Sequence, residues 1–315
     1  MKRNLAILLS GFILITTAAY ALLPNSTLFK YLVHAERSLA GLELKRIHVD
    51  GLDIEYLRGG SGPTLVLLHG FGADKDNWNR IAGDLVNYFD VIAIDLPGFG
   101  NSTKHMALDY DVRSQIDRLK RIIDAFKLVK FNLAGSSMGG YIAGNFAAQY
   151  PSAVEHLWLI SPFGVENSKI SDMFTATQEG KHPVVLPRTE SEFLQLFDFL
   201  FVEPPFVPSP IVNHLANKAS QNAEINTKIF EQIHRMQNGE PHPDLPLDRA
   251  LKNYRGPVLI SWGSKDRILH VSGAMELKQV IPHAKLDITP NIGHLPMMES
   301  PSTTANSFLL FTAAL

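Results

Sequence analysis

The run Gly135-Ser136-Ser137-Met138-Gly139 follows a short apolar stretch, Phe131–Ala134, and precedes a segment with helical character. A serine between glycines at a strand-to-helix junction is held on a sharp turn, with its hydroxyl exposed and the following helix dipole aimed at developing negative charge. That chemistry is nucleophilic attack on a carbonyl. A serine needs a base to take its proton and an acid to orient the base. With a G-x-S-x-G turn the chain order is serine, then Asp or Glu, then histidine. Of the 12 histidines, His294 stands apart, in Asn291-Ile292-Gly293-His294 after the last apolar run. Asp266, at the end of Trp262-Gly263-Ser264-Lys265-Asp266, follows the preceding apolar run. Ser137, Asp266 and His294 are therefore the expected nucleophile, acid and base. His270 is the nearest rival base, but it lies in the loop that should supply the acid.

A tetrahedral intermediate also needs donors for its oxyanion. His69-Gly70-Phe71-Gly72 ends another apolar run, and the backbone N–H groups of Phe71 and Met138 are the expected oxyanion donors. His69 reads as a residue that stabilises this turn, and Asp95, in Asp95-Leu96-Pro97-Gly98-Phe99-Gly100, as one that holds a second turn.

These residues require strands that end at one edge. Thr64–Leu68, Val91–Asp95, Phe131–Ala134, Leu157–Ile160, Val258–Trp262 and Lys285–Ile288 are nearly continuous apolar runs, as suits a parallel sheet covered on both faces. Leu44–Val49 and Leu52–Leu57 flank Asp50-Gly51, a hairpin signal. Helical stripes lie between the runs, for example Val112, Ile116, Leu119, Ile123 and Phe126. Strand–helix alternation predicts a doubly wound α/β domain over 42–163 and 256–315. Residues 164–255 break the alternation with prolines and helical patterns, and read as an inserted cap or lid above the carboxyl ends of the strands. Thr189-Glu190-Ser191-Glu192 within it is a capping box.

At the amino end, Lys2 and Arg3 precede an uncharged apolar stretch, Leu5–Leu23. Residues 1–23 read as a signal peptide or a membrane anchor. Either predicts a cell-envelope protein, anchored with its catalytic domain exported, or periplasmic or secreted. Residues 24–41 read as an amphipathic linker, a helix resting on the membrane surface or packed on the domain. The chain has no cysteine, which excludes thiol nucleophiles, cysteine metal sites and disulfides. A net charge of −2 without dense basic runs gives no indication of a nucleic-acid partner. No metal or organic cofactor is expected.

The set HGFG, DLPGFG, GSSMGG, WGSKD and the GH before LPMME resembles the α/β-hydrolase superfamily over roughly residues 45–310. More narrowly it resembles family-five bacterial lipases and membrane-anchored monoacylglycerol lipases, as do Pro204–Pro208 and Lys228–Ile233. Ser161 stands where some relatives carry an acid, which leaves Asp266 unopposed. The resemblance implies a carboxylic-ester hydrolase acting on a lipid or small acyl ester through an acyl-enzyme. An inserted segment with Met173, Phe174, Phe193, Phe197, Phe199, Phe201 and Phe206 agrees with an acyl chain, although most of these side chains are expected to form its own core. Two alternatives stand beside this reading. A carbon–carbon bond hydrolase would bind a substrate carboxylate, with Arg188, Arg235 or Arg249 available. A non-catalytic ligand binder of the same fold would have lost a triad residue.

Overall fold

The apolar runs form one sheet of eight strands in the computed structural model, which describes residues 24–205 and 207–314. The strands are β1 (Glu43–Val49), β2 (Leu52–Gly59), β3 (Thr64–Leu68), β4 (Asp90–Ile94), β5 (Phe131–Ser136), β6 (Val154–Ile160), β7 (Val258–Gly263) and β8 (Lys285–Thr289). Their order across the sheet is β1-β2-β4-β3-β5-β6-β7-β8. β1 and β2 are antiparallel, joined by Asp50 and Gly51 at φ 49° and 80°, the backbone that a two-residue hairpin turn demands. From β4 to β8 every pairing is parallel. The order reverses at β3, so a crevice opens between β3 and β5 at their carboxyl ends.

The helices are α1 (Asn25–Leu39), α2 (Asn79–Leu85), α3 (Val112–Ala125), α4 (Met138–Gln149), α5 (Asp172–Gln178), α6 (Glu190–Leu200), α7 (Ser209–Gln221), α8 (Ala223–His234), α9 (Leu247–Ala250), α10 (Ser272–Val280), α11 (Pro296–Glu299) and α12 (Pro301–Ala313). Alternation along β3 divides the core. Val66 and Leu68 pack with Ile116, Leu119, Ile142 and Phe146 of α3 and α4. Leu65 and Leu67 pack on the opposite face with Ile81, Leu85, Phe308 and Phe311 of α2 and α12. Two-sided burial is the reason these strands are apolar throughout. Helices α5 to α9 lie between β6 and β7, in a segment with no strand among its described residues apart from an isolated bridge, Gln237 to Glu240.

Helix α1 packs on the domain. Phe29 meets His214 of α7 at a ring separation of 4.4 Å, and Arg37 grips Asp76 through two 2.7 Å hydrogen bonds. Its outer face leaves Tyr31 and Leu39 exposed. The signal or anchor expected over 1–23, and Phe206, lie outside the described residues. Among the described residues no helix is long and apolar enough to cross a membrane.

Candidate active site

Strand β5 delivers Ser137 to the turn before α4, at φ 55° and ψ −118°. This backbone is rare for a residue with a side chain and costs about 1–3 kcal/mol. Close packing over-determines it. Ser137 N–H donates to Ile160 O at 2.9 Å, while Ser137 O accepts from Tyr141 and Phe163 N–H at 3.0 and 3.1 Å. The flanking glycines are required by space. A Cβ at Gly135 would lie 2.2 Å from Gly139 O, and one at Gly139 would lie 2.2 Å from Leu68 O.

The loop after β3 comes against this turn, since a Cβ at Gly70 would lie 3.2 Å from that of Ser137. Among the described residues, the backbone N–H groups of Phe71 and Met138 make no hydrogen bond. They are available to an oxyanion. His69 braces the loop from beneath. Its Nε2 accepts from Leu96 N–H at 3.0 Å, so the ring proton is on Nδ1, which donates to Gly70 O at 2.7 Å. Burial pushes its pKa down to about 4 and keeps it neutral. Asp95 is fully buried and accepts from Lys75 N–H, Lys75 Nζ and Asn101 N–H at 2.8, 3.0 and 2.7 Å. Both residues hold turns in place.

On the other side of β5, the loops after β7 and β8 bring Asp266 and His294 together. His294 Nδ1 and Asp266 Oδ2 are 2.8 Å apart, with both residues buried. Asp266 is saturated with donors. Its Oδ1 accepts from Ile268 and Leu269 N–H, each at 2.9 Å, and Oδ2 also accepts from Trp262 Nε1 at 2.9 Å. The carboxylate therefore has one orientation and the imidazole one partner on that side. Ser137 lies on the same sheet edge but, among the described residues, its hydroxyl makes no hydrogen bond to the ring. A base and nucleophile often tighten this contact only when substrate arrives. Ser161 follows β6 at φ 42°, with its buried hydroxyl unpartnered among the described residues.

Side chains that sequence reasoning did not single out complete the site. Trp262 fixes the carboxylate through an i to i+4 contact that WGSKD contains but does not announce. His234 of α8 stacks on Phe230 at 4.1 Å and meets Phe163 at 4.4 Å and Phe71 at 6.1 Å, forming an aromatic wall beside the loop after β3. Burial pushes its pKa down to about 4. Lys218 of α7 reaches Asp74, just past that loop, at 3.0 Å. No group of His, Asp and Glu that could hold a metal exists among the described residues.

Residues 63–301 match the alpha/beta hydrolase fold family. The chain is 33% identical to Lipase 1 of Psychrobacter immobilis, over 95% of this chain and 93% of that one. It is 29% identical to monoacylglycerol lipase ABHD6 of Homo sapiens, over 96% and 91%. A crystal structure of a membrane phospholipase A superposes with a TM-score of 0.88 at 37% identity, covering 100% of this chain and 99% of that one. An eight-stranded, mostly parallel sheet and a serine on a strained turn at its carboxyl edge agree with this match. The chain belongs to the α/β-hydrolase fold family.

Proposed function

We propose that this protein is a serine carboxylic-ester hydrolase acting on lipid acyl esters, a lipase or monoacylglycerol lipase. The observation that carries the reading is the buried His294–Asp266 pair at 2.8 Å on the sheet edge that presents Ser137 at φ 55°. Ser137 Oγ attacks the ester carbonyl as His294 Nε2 takes its proton. The carbonyl oxygen, now charged, moves against the N–H groups of Phe71 and Met138, each contributing roughly 3–4 kcal/mol to the transition state. His294 then protonates the departing alcohol. Water activated by the same ring releases the acid and restores Ser137. Asp266 holds the ring in the tautomer that leaves Nε2 free and stabilises the imidazolium.

Lipid specificity is supported by the aromatic wall of Phe71, Phe230 and His234 and by the lipases among the relatives. Each acyl methylene buried there contributes about 0.8 kcal/mol. Helices α5 to α9 act as the cap, with α8 supplying Phe230 and His234 of this wall. Association with the membrane through the apolar stretch Leu5–Leu23, and a place in the cell envelope, complete the proposal. A carbon–carbon bond hydrolase gains no support: Arg235 pairs with Asp244 and Arg249 with Glu166, while Arg188 is exposed.

The test is hydrolysis of a p-nitrophenyl ester series from acetate to palmitate, and of a monoacylglycerol, by the wild type and Ser137→Ala. Activity that rises toward medium or long chains and disappears in the variant is the expected result. Activity on acetate alone, or activity that survives in Ser137→Ala, would overturn it.

A further inference from the structure

A cavity of about 210 Å³ lies between the loop after β6, the loop after β7 and α5, with Phe163, Phe174, Trp262 and Leu269 among its walls. Ligand sites for whole small molecules occupy about 300–1,000 Å³, so this one holds part of a substrate. Its walls are tied to the candidate catalytic residues. Phe163 N–H donates to Ser137 O, Trp262 Nε1 donates to Asp266 Oδ2, and Leu269 N–H donates to Asp266 Oδ1.

Its position decides which part. β5 has β3 on one side and β6, then β7 and β8, on the other. The free N–H of Phe71 belongs to the β3 side, while Asp266 and His294 come from the β7–β8 side. An ester whose carbonyl oxygen faces Phe71 and Met138 must turn its alcohol oxygen toward His294, because that oxygen receives the ring's proton. The cavity is on the His294 side.

Its rim includes two hydrogen-bond donors, His270 and Lys169. Ser272 N–H donates to His270 Nδ1 at 3.0 Å, which places the ring proton on Nε2, and Lys169 N–H donates to Ser272 Oγ at 2.8 Å. One serine thus anchors both residues. Among the described residues, His270 Nε2 and the Lys169 ammonium have no partner. The rim carboxylates are engaged, Glu166 by Arg249 and Glu240 by Gln178 Nε2 at 2.7 Å.

We propose that this cavity is the subsite for the alcohol half of the ester, a polar alcohol of glycerol size whose oxygens accept from His270 Nε2 and Lys169. The acyl chain then lies against Phe71 and Phe230, with His234 and Phe163 between it and the cavity. This assignment rests on the ester-hydrolase reading. It gives His270, which chain order passed over as a base, the work of selecting the leaving group.

The test compares two substrates with one acyl chain, monolauroylglycerol and ethyl laurate, in the wild type and in His270→Phe/Lys169→Ala. The expected result is a fall of about fivefold or more in the kcat/KM ratio of monolauroylglycerol over ethyl laurate, with the chain-length optimum on ethyl esters unmoved. The loss of two hydrogen bonds sets that scale. An unchanged ratio, or a moved chain-length optimum, would overturn the assignment, the latter because the cavity would then hold acyl carbons. Failure of the wild type to cleave either ester is a different result, and it would remove the hydrolase reading itself.

Discussion

Lys75 and Lys218 both bind carboxylates around the loop that follows β3, yet they belong to different regions. Lys75, in the sheet core, has a side chain 1% exposed and meets Glu55 and Asp95 at 2.9 and 3.0 Å, themselves 1% and 0% exposed. Lys218, from the helical segment between β6 and β7, is 31% exposed and meets Asp74 at 18%. The same division runs through the packing. β4, β5 and β7 are buried along their whole length, while α6 buries only Phe193 within its span. Glu55, Lys75 and Asp95 in the core are locked by several partners each. Within the helical segment the attachment is uneven, since α6 buries little whereas α8 buries Ile225, Ile229, Phe230, Ile233 and His234.

The core side of the comparison is tested most severely at Asp266. Its oxygens face four donors: Ile268, Leu269 and Trp262, together with His294. In Asp266→Asn any orientation of the amide turns an NH2 toward N–H groups, and the imidazole loses the partner that fixes its tautomer. We expect kcat to fall about 10⁴-fold, measured on p-nitrophenyl laurate with Km unchanged to within a few-fold. A loss of less than tenfold would remove Asp266 from the role of acid.

Next in size is Lys75→Met, which leaves Glu55 and Asp95 buried without their shared cation. Such a change costs about 3–5 kcal/mol, read as a lower urea midpoint at unchanged slope. A loss under about 1 kcal/mol would mean that the core carboxylates reach water, and the contrast with the helical segment would fail.

How far these features were legible depends on sequence distance. The strands were readable because burial on both faces makes each one apolar by itself. Ser137, Asp266 and His294 stood out because each occupies a strand-end loop in the required chain order. The Lys75 cluster was not legible: Asp95 read as a turn residue, but Glu55 and Lys75 look like surface residues, and the three meet only when β2, β4 and the loop after β3 pack. Nor was the Lys218–Asp74 contact, which joins residues 144 apart. The amphipathic pattern of α1 showed that one face would be covered, but nothing local said that α7 and Asp76 would cover it.

His234 probes the helical segment through pH. Burial holds its folded pKa near 4, whereas the unfolded chain takes up that proton near 6.5. The unfolded state therefore binds more protons as pH falls from about 6.5 to 4, and the wild type loses up to about 3 kcal/mol from this group. His234→Phe has no such proton to gain. Urea unfolding at pH 7 and near pH 4 should show the variant gaining on the wild type by up to that amount, other groups cancelling in the difference. Parallel stabilities at the two pH values would show that His234 is hydrated in the folded protein, and that α8 packs more loosely than its stacked rings indicate.

The smallest effect belongs to Lys218→Met, and its smallness is what the comparison demands. With Lys218 and Asp74 31% and 18% exposed, the pair is solvent-screened and contributes below about 1 kcal/mol. Asp74 also caps the short helix at Lys75–Trp78 by accepting from Asp76 N–H at 3.1 Å, and that helix follows the loop bearing Phe71. A change in Asp74 therefore reaches the proposed oxyanion donor, Phe71, and kcat/KM should fall by less than about fivefold, the equivalent of about 1 kcal/mol. Salt separates the two lysines. At about 1 M ionic strength the screening length shrinks to about 3 Å, so the wild type should drop toward Lys218→Met, while the cost of Lys75→Met should persist. If Lys218→Met costs as much as Lys75→Met and salt leaves it unchanged, the helical segment is fixed to the sheet as firmly as the sheet's own loops, and substrate must enter without moving it.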